Sequence, residues 1–404
     1  MELKLAKKYA LLDGIGDASD IVQKCVHCGF CNATCPTYQL LGDELDGPRG
    51  RIYLIRSALE GNTFSTRTKT HLDRCLTCRS CETTCPSGVE FGRLIEIGRN
   101  LLEQEQVRTI PEQLFRNLLR RFILSGWLLR LCFGAARTLR SILPDEIAKM
   151  VDIPAPVKRT PVVSHARKML LLDGCVQSAA YPSINAATAR LLDHVGISTV
   201  NQPQARCCGA LSLHLGATAE AKRFMRANID LWARELDNGC ESIVMTASGC
   251  GVTVNDYGRL FSDDQNFRVK ADRVSKCTKD VSEVILQECP VDIRHGKQRR
   301  VAFHSPCTLY HGQSVRGRIE DLLERYGYKV SQVHDGHLCC GSAGAYSLLN
   351  RDISRELLRS KISALEADQP DVIATANIGC LLHLKKRSTI PVKHWIELLV
   401  PEDS

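Results

Sequence analysis

From residue 168 onward the chain alternates short apolar runs with amphipathic stretches. "KMLLLDGC" at 168–175 reads as a buried strand, and "NAATARLLDHVG" at 185–196 spaces its apolar positions as a helix does. The rhythm then returns. "VAFHSPC" at 301–307 is followed by "GRIEDLLERYG" at 317–327, and "SIVMTASGC" at 242–250 is echoed by "DVIATANIGC" at 371–380. Cys175, Cys207 and Cys208 recur as Cys307, Cys339 and Cys340 at a constant offset of 132, and Cys250 recurs as Cys380 at 130. That register marks an internal duplication of an α/β unit. Upstream the period is helical: "GPRGRIYLIRSALEGN" at 47–62 and the leucine-rich stretch 99–140 both carry it. Around 143–162, four prolines among charges read as a linker. The pattern therefore divides the chain into a helical segment 1–100, a basic helical linker 101–165, and repeats at 166–290 and 291–404.

Composition narrows the class. A chain of 404 residues with 44% hydrophobic content can bury the cores of two or three domains. Its formal charge of +8 suits an acidic partner, whether a subunit, a headgroup layer or nucleic acid. No recognition motif or interleaved aromatic stripe supports nucleic acid, which is set aside. The best apolar run, "FILSGWLLRLCFGAA" at 122–136, is short and carries Arg130, so the chain is not expected to cross a membrane by itself. The opening "MELKLAKKYALLDGIGDASD" lacks the apolar run of a secretory leader, so a reducing cytoplasm is expected. There, twenty cysteines with tight Cys-x-x-Cys spacing point to metal or redox chemistry rather than disulfides.

The densest chemistry lies in "CVHCGFCNATCP" at 25–36 and "CLTCRSCETTCP" at 75–86. A C-x2-C-x2-C-x3-C-P run wraps three thiolates around one face of an iron–sulfur cube, and in two-cluster ferredoxins its fourth cysteine ligates the other cluster. This assigns Cys25, Cys28, Cys31 and Cys85 to one [4Fe-4S] centre, and Cys75, Cys78, Cys81 and Cys35 to a second. Pro36 and Pro86 turn the chain out of the site, and Gly29 suits the bend between two ligands. Zinc is the competing metal, but zinc sites join two Cys-x2-Cys pairs across a long loop, whereas three cysteines in strict steps would crowd one ion. Arg49 and Arg51, in the thirty-nine residues between Cys35 and Cys75, either contact a cluster edge or partner, or begin a solvated helix.

Each repeat offers a cysteine after a strand (Cys175, Cys307), a Cys-Cys-Gly turn (Cys207 and Cys208; Cys339 and Cys340) and a cysteine closing a late strand (Cys250, Cys380). Adjacent cysteines on extended chain point to opposite sides, so the pair serves one centre only through an irregular backbone, which the glycine permits. These eight positions are candidate ligands for one or two further iron–sulfur clusters. Cys132, Cys240, Cys277 and Cys289 fall outside the repeat and are expected to be buried as small hydrophobes. His304, His311 and His337 lie near the second copy's cysteines and are candidate ligands or proton carriers, whereas the first copy has Leu172 and Ala205 opposite His304 and His337. If only one copy is active, the second is favoured; a lone histidine is otherwise ordinary core structure.

End to end, the chain resembles the iron–sulfur subunits of bacterial glycolate oxidase. The wider family includes the anaerobic glycerol-3-phosphate dehydrogenase C subunit, lactate-utilisation iron–sulfur proteins and heterodisulfide reductase. The residues that carry this resemblance are "CVHCGFCNATCPTYQLLGDELDGPRGRIYLI", "HLDRCLTCRSCETTCPSGV", "CCGSAGAYSLL" and "TANIGC" with "VKHWIEL". It implies an α-helical two-cluster ferredoxin domain followed by a duplicated α/β cysteine-rich (CCG) domain, with no flavin on this chain. A separate FAD-containing subunit would oxidise glycolate, a second related flavin-domain subunit would assist, and this chain would carry electrons toward a quinone or other membrane acceptor. It would then sit in the cytoplasm, peripherally on the inner face of the membrane. The alternatives are the equivalent subunit of a lactate or glycerol-3-phosphate dehydrogenase, or a heterodisulfide-reductase-like catalytic subunit. In those last relatives five cysteines hold an unusual cluster, and here Ala247 and Asn377 stand where each fifth thiol is expected. The stretch 99–140, with eight arginines against three glutamates, reads either as an amphipathic helix in the headgroup region or as a linker packed on the ferredoxin domain or a partner.

Overall fold

The computed structural model describes residues 3–10, 13–151, 164–288, 296 and 298–400. The chain forms two compact units, one of Met1–Arg120, Leu211–Ala221 and His337–Leu357, the other of Arg121–Ala210, Lys222–Gly336 and Leu358–Ser404.

Among its described residues the first unit is built from helices. Ile15–Lys24, Pro48–Leu59, Thr66–Asp73 and Phe91–Gln104 close around Val22, Ile55, Leu59, Leu72, Leu94 and Ile95, each fully buried. Burying each such side chain favours the fold by roughly 1.5–3 kcal/mol. Pro48 begins the helix expected within 47–62, where its missing N–H costs nothing, and the Ser65 hydroxyl accepts from Thr68 N to cap the next. Gly98 lets two helices approach: a Cβ there would lie 2.8 Å from Ile55 Cδ1.

The second unit carries the duplication as two all-parallel four-stranded sheets. In the first, β1 (Arg167–Leu171), β2 (Ile197–Val200), β3 (Cys240–Met245) and β4 (Thr278–Asp280) stand in the order β2-β1-β3-β4. In the second, β5 (Arg300–His304), β6 (Lys329–Ser331), β7 (Val372–Thr375) and β8 (Val392–His394) repeat it as β6-β5-β7-β8. Ile243, Val244 and Met245 of β3 and all four residues of β7 are buried, as expected of central parallel strands covered on both faces. Cys175, Cys250, Cys307 and Cys380 follow the carboxyl ends of β1, β3, β5 and β7, where parallel sheets present their sites. The two repeats meet at the ends of β3 and β7: Ser248 N donates to Ala376 O (3.2 Å), and His394 Nε2 lies 2.9 Å from Thr246 O.

The two long helices of the basic segment bury almost none of their apolar residues. Ile110–Leu124 has none buried, and Gly126–Thr138 buries only Leu129. Among the described residues no helix is long and apolar enough to cross a membrane. Of the four cysteines expected as core residues, Cys240 is buried and Cys277 half-buried, while Cys289 lies outside the described residues. Cys132 departs from the expectation and is exposed, because the helix that carries it turns so little toward the core.

Candidate metal centres

The two ferredoxin-type motifs fold alike. Cys25 ends the helix Ile15–Lys24, the backbone turns left-handed at His27 and Gly29, and a short helix Phe30–Thr34 leads to Cys35 and the Pro36 helix start. In the second motif the left-handed positions are Thr77 and Arg79, and the short helix is Ser80–Thr84. These turns aim amides at sulfur, as Thr77 N does to Cys75 Sγ at 3.4 Å. Thr84 Oγ1 donates to Thr34 Oγ1 (3.2 Å) and Thr34 Oγ1 to Ser80 O (3.4 Å), tying the short helices together.

This arrangement brings Cys25, Cys28, Cys31 and Cys85 around one cavity, and Cys35, Cys75, Cys78 and Cys81 around another, with Cys81 bordering both. Burial pushes the Cys31 thiol up to about 11, and the neighbouring Cys25, Cys85 and Cys28 push the same way. Burial likewise carries Cys81 well above the usual thiol range, reinforced by Cys78, Cys75 and Cys35. Such clustered thiols hold their protons until a cation takes their place, so the donor set fits a thiolate-ligated metal cluster.

Arg51 is not a solvated helix residue. It is 1% exposed, and its guanidinium reaches Cys35 Sγ (4.0 Å), Thr37 Oγ1 (3.1 Å) and His71 O (2.8 Å). Asp46, fully buried, faces it at 3.5 Å and also accepts from Arg74 Nη1 at 2.7 Å. Arg49 stays half-buried, pairs with Glu44 and donates to His27 O at 3.2 Å. Arg99, also buried, donates to Cys75 O (2.6 Å), Leu72 O (2.9 Å) and His214 O (3.3 Å).

The segments after the two Cys-Cys-Gly turns belong to this same unit, and His214 and Tyr346 occupy equivalent repeat positions. Tyr346 Oη donates to Arg74 O (3.0 Å) and Asn350 Nδ2 to Asp73 O (3.3 Å). Burial raises the Tyr346 phenol above its ordinary range, and its charged surroundings include Arg51, Cys75, Cys339 and Arg99. Cys339 and Cys340 are buried; Gly341 is left-handed, and Ser354 Oγ donates to its carbonyl at 2.8 Å.

In the second unit the first copy's four thiols converge. Cys175 and Cys207 place their sulfurs 3.7 Å apart, and the contacts continue from Cys207 to Cys208 and from Cys208 to Cys250. The hydrogen bond to Cys207 and then burial push Cys175 well above the thiol range. Asn228 clamps the turn, donating to Cys207 O (3.1 Å) and accepting from Arg206 N (2.7 Å), while Tyr257 Oη donates to Cys208 O at 2.8 Å. Of the second copy, this unit holds Cys307 and Cys380, with His304 fully buried and within 4.8 Å of Cys380 Sγ. His311 is buried, its ring edge-on to that of Tyr310 with centroids 4.8 Å apart.

The position of the absent fifth thiol has another use in the second copy. Asn377 Nδ2 donates to Cys380 Sγ (3.5 Å) while its Oδ1 accepts from Gly249 N (3.3 Å), so one amide joins the two repeats beside a candidate ligand. Sequence reasoning passed over Tyr346, Asn228, Tyr257 and Arg99, although "CCGSAGAYSLL" already displays Tyr346.

Comparison with known proteins follows the same division. Residues 21–89 match the 4Fe-4S dicluster domain family, and residues 169–255 and 301–385 each match the cysteine-rich domain CCG. The glycolate oxidase iron–sulfur subunit of Escherichia coli (strain K12) is 46% identical over 95% of this chain and 94% of its own length. The chain belongs to the glycolate oxidase iron–sulfur subunit family. A probable member from Bacillus subtilis (strain 168) is 29% identical over 89% of this chain and 88% of its own length. Lactate utilization protein A of Anoxybacillus flavithermus is 26% identical over 56% of this chain and 95% of its own length. Membership in the family makes the chain an iron–sulfur, electron-transferring subunit of an oxidoreductase complex.

Proposed function

We propose that this chain carries electrons from an FAD-containing subunit that oxidises glycolate to glyoxylate, assisted by a second flavin-domain subunit, toward a membrane quinone. Cys25, Cys28, Cys31 and Cys85 are assigned to one [4Fe-4S] cluster, and Cys75, Cys78, Cys81 and Cys35 to the other. By the sequence repeat, the CCG cysteines are assigned to one or two further iron–sulfur clusters. Iron–sulfur clusters supply one-electron exchange, and the chain's own residues hold them in place and tune them. Arg51 sets positive charge beside Cys35, and Arg99 locks the carbonyls that flank Cys75.

The observation that carries the reading is the docking of the second Cys-Cys-Gly segment on the second thiol site, through Tyr346 and Asn350 to the carbonyls of Arg74 and Asp73. It supports a relay that continues from the ferredoxin cysteines into the CCG half. The exposed row Ile110, Leu114 and Leu118, one helical turn apart, supports peripheral attachment to the cytoplasmic face of the membrane. Exposed Trp127, Leu131, Arg121, Arg130 and Arg137 along the same segment suit a headgroup layer.

The test mixes the anaerobic chain with its flavoprotein subunits and follows bleaching of the visible cluster absorption. Glycolate bleaches the wild type, and bleaching is reduced in Cys85→Ser. Bleaching by lactate or glycerol 3-phosphate alone would overturn the substrate assignment. Turnover of a disulfide by the isolated chain would replace the relay with a catalytic role.

A further inference from the structure

His304 closes β5 and is 1% exposed, yet among the described residues neither ring nitrogen has a hydrogen-bond partner. Buried polar atoms are almost always bonded, so two orphaned nitrogens on one imidazole call for an acceptor or a cation. The fold itself does not require a histidine here. The first copy carries Leu172 at the equivalent position, also buried, and its sheet has the same order and direction. Beside His304, within 4.8 Å, is the sulfur of Cys380, and Cys307 follows three residues along the chain. A metal binds nitrogen at about 2.0–2.1 Å and thiolate at about 2.3 Å, which brings two donors of one ion to roughly 3.5 Å, inside the observed bound. Cys380 is held from its other side by Asn377 Nδ2.

We propose that His304 is a nitrogen ligand of the metal centre of the second CCG copy, binding the same iron as Cys380. The proposal rests on the reading of that copy as a metal site. It also separates the two copies chemically: the first offers four thiols, and the second adds an imidazole. Compared with the fifth thiolate expected there, a neutral imidazole leaves the cluster less negative, so its reduction potential is higher. Histidine would thus supply a ligand in the copy where Asn377 has replaced the expected fifth cysteine.

The test uses the full chain, reconstituted anaerobically with iron and sulfide, as wild type, His304→Leu, His304→Gln and Cys380→Ser. Iron, zinc and sulfide are counted per chain, and nitrogen hyperfine coupling is recorded on the reduced protein with 15N-labelled histidine. The expected result is a histidine coupling in the wild type that disappears in both His304 variants and in Cys380→Ser, with iron lost in Cys380→Ser. His304→Leu installs the residue the first copy already accommodates, and the ferredoxin signals report that each variant is folded. A wild type without histidine coupling, or one whose coupling survives His304→Leu, would overturn the ligand assignment while leaving the metal site standing. Zinc in place of iron, lost in Cys380→Ser, would overturn the iron assignment. Unchanged metal in Cys380→Ser would instead remove the underlying reading of the second copy.

Discussion

Replacing Arg51 by methionine removes a buried charge without removing much volume, and its main effect falls on one cluster. Arg51 Nη1 stands 4.0 Å from Cys35 Sγ. An electron on the cluster spreads beyond that sulfur, so a separation of roughly 6 Å at an effective dielectric constant of about 20 gives about 2.8 kcal/mol of attraction. For a one-electron couple this corresponds to about 120 mV. Asp46, buried 3.5 Å from Arg51, keeps Arg74 and His71 as partners but loses one neutralising neighbour, which acts in the same direction. Arg51→Met therefore lowers the potential of the cluster that uses Cys35 by on the order of 100 mV, and shifts the other cluster much less. Breaking the buried pair also costs roughly 3–5 kcal/mol of stability, visible as a lower unfolding temperature. The assay is a potentiometric titration read by electron paramagnetic resonance, with Arg51→Lys as the charge-retaining control. Equal shifts of both clusters, or no shift in a folded, fully loaded variant, would refute the placement of Arg51 beside one cluster.

Other residues give independent tests. Burial holds His394 down to about 3, below its unfolded value of 6.5. Its contribution to stability is therefore present above pH 6.5 and is lost as pH falls toward 3, at about 1.4 kcal/mol per pH unit. Denaturant titrations from pH 7 to 4 should show that slope, flattened in His394→Gln. Asn377→Ala removes the bonds to Cys380 and Gly249 and should cost roughly 1–3 kcal/mol; an unchanged unfolding midpoint would contradict the bridging role. Leu114→Glu with Leu118→Glu should weaken co-sedimentation with anionic vesicles at least tenfold while cluster content stays constant, and unchanged binding would move the membrane contact elsewhere. Tyr346→Leu should slow electron passage into the CCG half by tenfold or more in stopped-flow reduction, with ferredoxin iron unchanged.

The eight cysteines of the two ferredoxin-type runs stand out in the sequence because a metal cube would impose a rigid interval on the chain, and the fold gathers these same eight around two cavities. The duplication was legible too, since a shared sheet order demands a shared register of apolar runs. What surrounds the ligands was not. Arg51 looks like any exposed helix arginine until Asp46, twenty-eight residues before Arg74, is seen to bind both. Asn377 reads in sequence as a lost thiol, because its two partners, Gly249 and Cys380, lie in different repeats. Asn228 and Tyr257 clamp the first Cys-Cys-Gly turn across 21 and 49 residues, separations no local pattern encodes. The expectation that favoured the second copy drew on its histidines. The fold accounts for the first copy equally well, since its four thiols meet in an unbroken series of contacts.

The most direct test is of the exchanged fourth ligands. Single serine variants at Cys25, Cys85, Cys75 and Cys35 are reduced stepwise, and the two [4Fe-4S] signals are followed by paramagnetic resonance. Cys25→Ser and Cys85→Ser should alter one signal, while Cys75→Ser and Cys35→Ser alter the other, which should also be the signal that Arg51→Met shifts. If Cys35→Ser instead alters the signal lost in Cys25→Ser, each motif closes its own cluster and the exchanged pairing is wrong.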